Sequence, residues 1–153
     1  MNVELREVQD SDLRVLFEFQ LDEDANQMAL THPRSAEVFD AHWNETLSDP
    51  NVTARVILVN ESVAGIVSVF PSDDGHSLGY WLGRNFWGQG VATRSVQLLL
   101  AEACERPILA RAAVSNKASL RVLQKCGFLI VRSEFSPGDD RYIECDELVL
   151  KLS

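Results

Sequence analysis

Apolar and polar positions alternate over residues 3–8, and this pattern predicts a β-strand near the start of the chain. Apolar residues then recur at helical spacing behind Asp10 or Ser11, either of which can cap a helix. A second helix is predicted between Ser35 and Asp49, where the sequence again carries one mostly apolar stripe. The first third of the chain is therefore predicted to be a strand followed by two helices.

The rest of the chain continues as strands interrupted by two further helices. Runs of β-branched residues at 55–59 and 63–70 predict a hairpin, and another strand is predicted at 77–82. Apolar residues at helical spacing from Ala92 to Ala103 predict a helix that ends before the next proline. The remaining predicted elements are a strand at 108–114, a short helix from Ser115 or Asn116 to Lys125, and strands at 128–135 and 143–152.

This order of elements predicts one α/β domain over residues 1–153. The order is β-α-α-β-β-β-α-β-α-β-β, and no repeat, low-complexity segment or linker interrupts it. A mixed sheet flanked by helices is the architecture that such an order favours. A chain of 153 residues is also close to the commonest size for a single domain with one core.

The charge balance narrows the classes of partner. The chain has 14 Lys and Arg residues against 23 Asp and Glu residues, for a formal net charge of −9. Such a charge disfavours binding to nucleic acid or to anionic lipid. The basic residues nevertheless gather in one window, so a local anion site can exist in an acidic protein. The window contains Arg84, Arg94, Arg111, Lys117, Arg121 and Lys125.

Two further observations bear on location and metal content. No stretch of about 18 consecutive apolar residues is present, and residues 1–4 show neither the basic nor the apolar part of a secretory signal. We therefore expect a cytoplasmic protein. Cys104, Cys126 and Cys145 lack C-x-x-C spacing, which argues against a disulfide framework or a zinc site and favours reduced thiols. No metal is expected.

The strongest chemical signal is the junction of strand, loop and helix at residues 80–94. Gly88 and Gly90 let the main chain approach a ligand closely, and the following helix offers unpaired N–H groups with a partial positive charge. Helix starts of this kind bind phosphate groups. Thr93 stands where a dinucleotide-binding fingerprint needs its third glycine, and no Gly-Lys-Ser/Thr of a P-loop is present. A tight turn without a ligand is the alternative for the two glycines.

Four short segments of the chain form a distinctive set: residues 80–83 (YWLG), 86–93 (FWGQGVAT), 116–119 (NKAS) and 123–128 (LQKCGF). Together they resemble the GNAT superfamily of N-acetyltransferases, and most of all its Rim-type branch, which includes ribosomal-protein N-terminal acetyltransferases. The resemblance implies a GNAT-like fold, with a central, mostly antiparallel mixed sheet of about seven strands and about four helices.

The resemblance also implies an acetyl-CoA site. The superfamily pattern Gln/Arg-x-x-Gly-x-Gly/Ala corresponds to Trp87-x-x-Gly90-x-Ala92, with tryptophan in place of the usual polar residue. Main-chain N–H groups of residues 88–93 would hold the CoA pyrophosphate, and pantetheine would bind like an added strand. The cofactor-binding residues implied by the resemblance are Tyr80, Leu82, Trp87, Gly88, Gln89, Gly90, Val91, Ala92, Thr93, Asn116 and Ser119.

The implied reaction is direct attack of an amine on the thioester in a ternary complex, without an acyl-enzyme. The Leu82 N–H is the expected donor to the acetyl oxygen, where negative charge develops in the transition state. Many family members use a tyrosine as the acid that protonates the departing thiolate, but Leu123 occupies that position here. Ser119, one turn earlier, matches a serine proposed for this role in the Rim-type branch; packing or helix capping is its alternative.

No single general base emerges from the sequence. Tyr80 and His76 lie on or before the strand that the resemblance implies to be splayed from its neighbour. The resemblance also implies that the second helix, which carries His42 and Trp43, borders the acceptor pocket. His42 alternates with apolar neighbours, which favours a hydrogen-bonded, half-buried residue, and Trp43 and Trp81 are predicted to be core or pocket wall. Exposed turn positions are predicted for Asp73 and Asp74. For the helix residues Lys117, Arg121 and Lys125, steering of CoA phosphates and simple solvation remain equal alternatives.

The expected partners are acetyl-CoA and an amine acceptor, with a homodimer as one expected assembly. The acceptor is open between a small amine and a protein N-terminus. A non-catalytic acyl-CoA sensor or regulatory module is the alternative function, and a structural interaction domain without a ligand is a third.

Overall fold

The computed structural model describes residues 1–102 and 105–153. Within these residues it contains seven strands and five α-helices, with short 3-10 turns before α1 and after β4. In chain order the elements are β1 (Val3–Glu7), α1 (Leu13–Gln20), α2 (Glu23–Ala29), α3 (Ala36–Ser48), β2 (Thr53–Val59), β3 (Ser62–Ser72), β4 (Gly75–Leu82), α4 (Val91–Glu102), β5 (Ile108–Ala113), α5 (Lys117–Lys125), β6 (Leu129–Ser136) and β7 (Cys145–Leu152).

All seven strands form one sheet in the order β1-β2-β3-β4-β5-β7-β6. Every neighbouring pair is antiparallel except β4 and β5, which run parallel. The predicted mixed, mostly antiparallel sheet of about seven strands is therefore confirmed. The single parallel pair lies in the middle of the sheet and links its two antiparallel halves.

Helices cover both faces of the sheet, and the alternation of side chains along the strands explains why. Val56 and Ile57 are neighbours on β2 and are both fully buried, yet they belong to different apolar clusters. Val56 packs with Leu16 of α1 and Trp43 of α3, whereas Ile57 belongs to the cluster that includes Leu99 of α4. Successive residues of a strand point to opposite faces, so β2 contributes to both layers.

One helix was not predicted from the sequence. Residues between the first two predicted helices were expected to be a polar connection, but they contain α2. The Asp22 carboxylate accepts from the backbone N–H groups of Asp24 and Ala25 and so caps this helix. Leu30 ends it in the left-handed region at φ 54°. Only Ala25 and Asn26 are buried, which left too weak an apolar stripe for a helix to be predicted.

The remaining structural expectations can be checked in part. Within the described residues, Cys126 and Cys145 are free thiols. Two predictions lie outside the described residues. They concern the thiol of Cys104 and the position of Ala103, the last apolar residue of the helix predicted from Ala92. No helix in the described ranges combines the length and apolar character that crossing a membrane requires.

Candidate functional site

The middle of the sheet opens into a cleft because β4 and β5 separate. The two strands pair only at His76 with Ile108 and at Ser77 with Leu109. Beyond these positions β4 continues to Leu82 and β5 continues to Ala113, but the two strands no longer pair with each other. A cavity of about 920 Å³ occupies this cleft and extends to the surface. Unpaired strand backbone lining a cavity is available to hydrogen-bond a ligand as a neighbouring strand would.

The direction of the backbone groups on β4 follows from its pairing with β3. Gly83 donates its N–H to the Ala64 carbonyl of β3 at 2.8 Å. Because hydrogen-bonding direction alternates along a strand, the N–H of Leu82 points the other way, into the cleft. The Leu82 carbonyl accepts from the Trp87 indole at 3.2 Å. The Leu82 carbonyl is therefore already hydrogen-bonded to the indole, whereas the Leu82 N–H remains a free backbone donor.

The glycine loop holds two residues in conformations that favour glycine. Gly88 and Gly90 have φ values of 72° and 78°. Gly90 precedes α4, and its carbonyl accepts the first helical hydrogen bond, from Arg94, at 3.1 Å. In the part of the chain that the structure describes, no backbone N–H of residues 88–93 donates to a protein acceptor. The start of α4 therefore presents free N–H groups together with its partial positive charge.

Helix α5 forms the opposite wall of this end of the cavity. Asn116 caps the helix, with its side-chain oxygen accepting from the Ser119 N–H at 3.2 Å. Ser119 is half-buried and lines the cavity together with Tyr80. Burial raises the pKa of Tyr80, and the nearby Ser119 hydroxyl offsets part of that rise. Tyr80 is consequently neutral at pH 7 and can donate or accept a hydrogen bond but does not carry charge.

Seven of the predicted cofactor-site residues line the cavity, and we name this part of it the glycine-loop end. They are Tyr80, Leu82, Trp87, Gly88, Ala92, Asn116 and Ser119. Gln89, Gly90, Val91 and Thr93 do not line it. Val91 is almost fully buried beneath the loop, and the Gln89 side chain donates to the Asn85 carbonyl at 2.9 Å.

The proposed bases fall mostly outside the cavity. His76 lies where β4 and β5 still pair and its ring is 3.2 Å from the Glu105 carboxylate. His42 lies at the surface of α3, and Trp43 is buried in the core with Phe39, so both are away from the cleft lining. Of the three residues considered as bases, Tyr80, His76 and His42, Tyr80 alone lines the cavity. Trp43, which was predicted to be core or pocket wall, lies in the core.

The far end of the cavity is lined by separate segments of the chain, and we name it the carboxylate end. It includes α2, the turn between β3 and β4, and the loop between β6 and β7. Its ionisable side chains are Asp73, Asp74, Arg111, Asp139, Tyr142, Cys145 and Glu147. Asp73 and Asp74 are exposed turn residues, as the sequence predicts, but they also border the cavity.

One arginine organises the charges at the carboxylate end. Arg111 of β5 contacts Asp74 at 2.8 Å and Glu147 at 3.0 Å, and it also pairs with Glu134 of β6. The four carboxylates that line this end outnumber its single arginine, so the end carries net negative charge. It is suited to a cationic group, such as a protonated amine.

The sequence did not single out Glu147 or Tyr142. Glu147 belongs to an ordinary alternating strand, and Tyr142 to a loop next to Asp139 and Asp140. Only the pairing of the strands places Glu147 near the site, because Glu147 is the direct partner of Ala113 at the open end of β5. Strand order cannot be derived from local spacing, so these residues could not have been placed at the site beforehand.

An ion pair joins the two ends. Arg84, in the loop after β4, contacts the Asp22 carboxylate at 2.8 Å, and its guanidinium lies 5.9 Å from the centroid of the Trp87 ring. The Trp81 indole donates to the Phe19 carbonyl at 3.1 Å, which ties the end of α1 to β4. Arginine lowers the pKa of Asp22 to about 2, mainly through the hydrogen bond between them. Helix α2 is thus fixed relative to the glycine loop.

The arrangement can bind an anionic group at free main-chain N–H groups while it holds a cationic group a short distance away. No cluster of three or more metal-ligating side chains occurs among residues 1–102 and 105–153. The donors at the glycine-loop end are main-chain amides, which suit phosphate oxygens and not metal ions.

Comparison with known proteins identifies relatives with the same fold. The family described as "Acetyltransferase (GNAT) domain" matches residues 2–129. A Bacillus subtilis (strain 168) protein named provisionally as a ribosomal N-acetyltransferase, YdaF, is 29% identical over 109 residues. That match covers 64% of this chain and 60% of the relative, so the chain matches less than two thirds of that protein's length.

Solved structures extend the similarity over nearly the whole chain. An N-acetyltransferase from Staphylococcus aureus Mu50 superimposes with a TM-score of 0.82 and 22% identity, covering 99% of this chain and 98% of that one. A spermidine N-acetyltransferase from Vibrio cholerae, in complex with CoA and spermine, gives a TM-score of 0.78 and 16% identity, covering 97% and 95%. At these identities the likeness establishes the fold.

Proposed function

The chain belongs to the GNAT acetyltransferase domain family, and we propose that it transfers the acetyl group of acetyl-CoA to a primary amine. The observation that carries the proposal is the row of free backbone N–H groups at residues 88–93 beside an opened strand pair. A diphosphate and an extended pantetheine arm need these two features side by side. Similarity to the Bacillus subtilis protein that is provisionally named a ribosomal N-acetyltransferase supports assignment to the Rim-type branch.

Acetyl-CoA is proposed to lie along the glycine-loop end. Its pyrophosphate would accept hydrogen bonds from the N–H groups of residues 88–93, at the positive start of α4. Pantetheine would follow the unpaired edge of β4 beside Tyr80 and Leu82, with the free side-chain amide of Asn116 as a further donor. The structure of the Vibrio cholerae relative with bound CoA supports CoA as the ligand of this fold. No metal takes part in the proposal.

Transfer is proposed to occur in one ternary complex. The amine nitrogen bonds to the acetyl carbon, the carbon–sulfur bond breaks, and CoA leaves as a thiolate that takes up one proton, while the amine loses one. The Leu82 N–H, which points into the cleft, would stabilise the charge on the acetyl oxygen. Binding both reactants in fixed positions would supply most of the acceleration.

Ser119 and Tyr80 are the proposed proton carriers near the sulfur. Both line the cavity, and the Ser119 hydroxyl lowers the pKa of Tyr80 against the rise that burial causes. We propose Ser119 as the immediate donor to the thiolate, with neutral Tyr80 holding its hydroxyl in place. The amine would lose its proton toward the carboxylate end, which Glu147 and Asp74 line.

A CoA-release assay tests the function. The free thiol of CoA is followed while acetyl-CoA is incubated with a panel of primary amines and peptides. Thiol release that depends on an amine, together with a product of acetylated mass, is expected for an enzyme. Saturable binding of acetyl-CoA without release under any amine would instead assign the chain to the non-catalytic sensors.

We further propose a cytoplasmic protein that acts as a homodimer and does not bind nucleic acid. The net charge of −9 opposes attachment to polyanions. Strand β6 is an edge strand whose Leu129 and Phe135 side chains are 71% and 61% exposed, which supports self-association at that edge. Light scattering of the wild type and of Phe135→Glu tests this: a dimer that the substitution turns into a monomer is expected, and a wild-type monomer excludes it.

A further inference from the structure

Strand β6 ends the sheet and leaves its outer edge uncovered. Among the residues that the structure describes, β6 is the last strand in the order and pairs with β7 alone. Half of its eight residues are large, apolar and exposed, namely Leu129, Ile130, Val131 and Phe135. Natural proteins usually shorten, charge or cover such an edge, because it pairs readily with another strand. The outer edge of β6 is therefore a candidate site for a partner strand.

The direction of the backbone groups on β6 follows from the pairing of β7 with β5. The Val114 N–H donates to the Asp146 carbonyl at 3.1 Å, so the backbone groups of Asp146 point toward β5. Phe135 is the direct partner of Asp146 on β6. In an antiparallel pair, two opposite residues that are not hydrogen-bonded to each other direct their N–H and C=O groups outward. The backbone groups of Phe135, and by alternation those of Ser133, therefore point to the free edge.

The sequence along this edge is self-complementary about Ser133. Residues 131–135 read Val-Arg-Ser-Glu-Phe, so a charge of opposite sign and then an apolar residue stand on each side of the serine. Arg132 and Glu134 lie on the same face of the sheet because they are two positions apart on a strand. A second copy of this strand, run in the opposite direction, would match every one of these positions.

We propose that the two copies of the homodimer pair through β6, antiparallel and with the two-fold axis at Ser133. The Ser133 residues of the two copies would exchange both backbone hydrogen bonds across the axis, because their N–H and C=O groups point outward. Arg132 of each copy would lie directly opposite Glu134 of the other, and Phe135 opposite Val131. This inference rests on the proposed homodimer and specifies how its copies pair.

The charges disfavour the two nearest registers. A two-fold axis at Glu134 would place the two copies of this glutamate directly opposite each other, and an axis at Arg132 would do the same with the arginines. Like charges directly opposite destabilise a strand pair, whereas opposite charges stabilise it. Of the three axes, only the one at Ser133 places opposite charges together.

The ends of the strand disfavour the next registers. An axis at Phe135 would place Pro137 opposite Ser133, and proline has no N–H to donate across the interface. In the other direction, the pairing of β6 with β7 shifts between Ile130 and Arg132, which marks a bulge at Val131. A bulge interrupts regular pairing, so an axis there would lack a regular partner strand.

The pairing would extend a network of charges that already lies on this face. Within one copy, Arg132 contacts Glu134 at 3.0 Å and Asp74 at 3.3 Å, and Glu134 also pairs with Arg111. The side chains of Arg132 and Glu134 are still 43% and 37% exposed, so each can contact a second copy. Asp74 and Arg111 line the carboxylate end of the cavity. The dimer interface and the acceptor site would thus share one network of charges.

Charge reversal tests the side-chain pairs. Arg132→Glu and Glu134→Arg each place like charges opposite each other across the axis, so each should dimerise about 30-fold more weakly in analytical ultracentrifugation. Mixed in equal amounts, the two variants should form a heterodimer with an affinity close to that of the wild type, because glutamates then face arginines. Native mass spectrometry identifies this heterodimer by its mass. The control Arg14→Glu, which reverses an exposed charge on α1, should dimerise normally.

Ser133→Pro tests the backbone hydrogen bonds without changing a charge. Proline removes an N–H that points to the free edge and leaves the bonds between β6 and β7 in place, so the variant should fold and be monomeric. The matched control Ser133→Ala keeps the N–H and should remain a dimer. Circular dichroism checks the fold of every variant.

Several results would overturn the pairing: a wild-type monomer, a dimer that persists in Arg132→Glu or in Ser133→Pro, or no heterodimer from two folded charge variants. If a charge variant does not fold, the comparison of Ser133→Pro with Ser133→Ala decides. CoA release by the wild type is measured separately. Release without this dimer overturns the pairing and leaves acetyl transfer intact, whereas this dimer without release from any amine does the reverse.

Discussion

The glycine-loop end of the cavity draws its free backbone donors from one continuous stretch, residues 80–93, to which α5 adds Asn116 and Ser119, whereas the carboxylate end presents side chains from four separated segments. At the first end, the free donors are backbone N–H groups, and Trp87 contributes by occupying a carbonyl. At the second end, Arg111 is shared among three carboxylates. A main-chain site fixes the shape of the ligand and tolerates changes of side chain. A side-chain site depends on which residues are present.

The difference fits the division of labour that we propose. Acetyl-CoA is the same molecule for every enzyme of this kind, so a backbone cradle serves it well. The acceptor varies, and its site is built from charged side chains that can change without disturbing the sheet. Substitutions at the two ends should therefore affect different kinetic constants.

The largest effect is expected at the glycine loop. Gly90→Glu places a negative charge and a side chain where the pyrophosphate should lie, and it forces glutamate to a φ of 78°. We expect acetyl-CoA to bind about 1,000-fold more weakly, because several charge-assisted hydrogen bonds are lost. Isothermal titration calorimetry with acetyl-CoA measures this.

Gly90→Ala is the matched control, since it shares the φ but adds neither charge nor bulk in an open position. It should weaken binding much less than Gly90→Glu. Equal and large losses in the two variants would assign the effect to backbone strain and not to a phosphate site.

The second effect separates chemistry from binding. Ser119→Ala is expected to lower kcat by about 100-fold with little change in the KM for acetyl-CoA, because a general acid acts on the leaving thiolate. Steady-state kinetics give both constants. The control is Ser115→Ala, which alters an exposed residue that does not line the cavity. An unchanged kcat in Ser119→Ala would remove serine from the proton path.

A smaller effect is expected at Asn116, which serves both fold and ligand. Its side-chain oxygen caps α5, and its amide N–H₂ is proposed to contact pantetheine. Asn116→Asp keeps the capping oxygen but loses the donor, so it should raise the KM for acetyl-CoA by about 10-fold while the melting temperature stays near that of the wild type. A normal KM in Asn116→Asp, together with a lowered melting temperature in Asn116→Ala, would restrict the residue to capping.

The smallest effect concerns the ion pair that joins the two ends. The pKa of Asp22 is lowered to about 2, below the value near 4 expected in the unfolded chain. Its stabilising effect is therefore present above about pH 4 and is lost as the pH falls toward 2. Arg84→Gln removes the cause of the shift, so its melting temperature should lie about 2 °C below that of the wild type at pH 6.

The gap between the two proteins should close as the pH falls from about 5 to about 2, as measured by calorimetry at a series of pH values. Arg14→Gln, which breaks an exposed pair with Glu18, serves as the comparison and should show no such convergence. A gap that stays constant across the pH series would mean that Arg84 stabilises the fold through packing on Trp87 and not through Asp22.

The glycine-loop end could be anticipated from the sequence because its information is local. Alternating and helical spacings placed β4 and α4, and the glycines between them marked a close approach to the main chain. The fold class followed from the order of elements. Sequence alone missed α2 because only two of its residues are buried, and its cap, Asp22, resembles an ordinary loop residue.

The carboxylate end could not be anticipated because it depends on which strands become neighbours. Glu147 reaches the cavity only because β7 lies beside β5, and Arg141 meets Trp81 across 60 residues of sequence. Local spacing carries no information about such contacts. Because local spacing does not show which residues line the cavity, His42 and His76 were considered as bases. Neither histidine lines the cavity in the structure.

A crystal structure of the complex with acetyl-CoA tests the central claim most directly. The pyrophosphate oxygens should lie within hydrogen-bonding distance of the main-chain N–H groups of residues 88–93, and the thioester oxygen should accept from the Leu82 N–H. A complex in which the cofactor binds elsewhere, and in which these N–H groups face only solvent, would contradict the account.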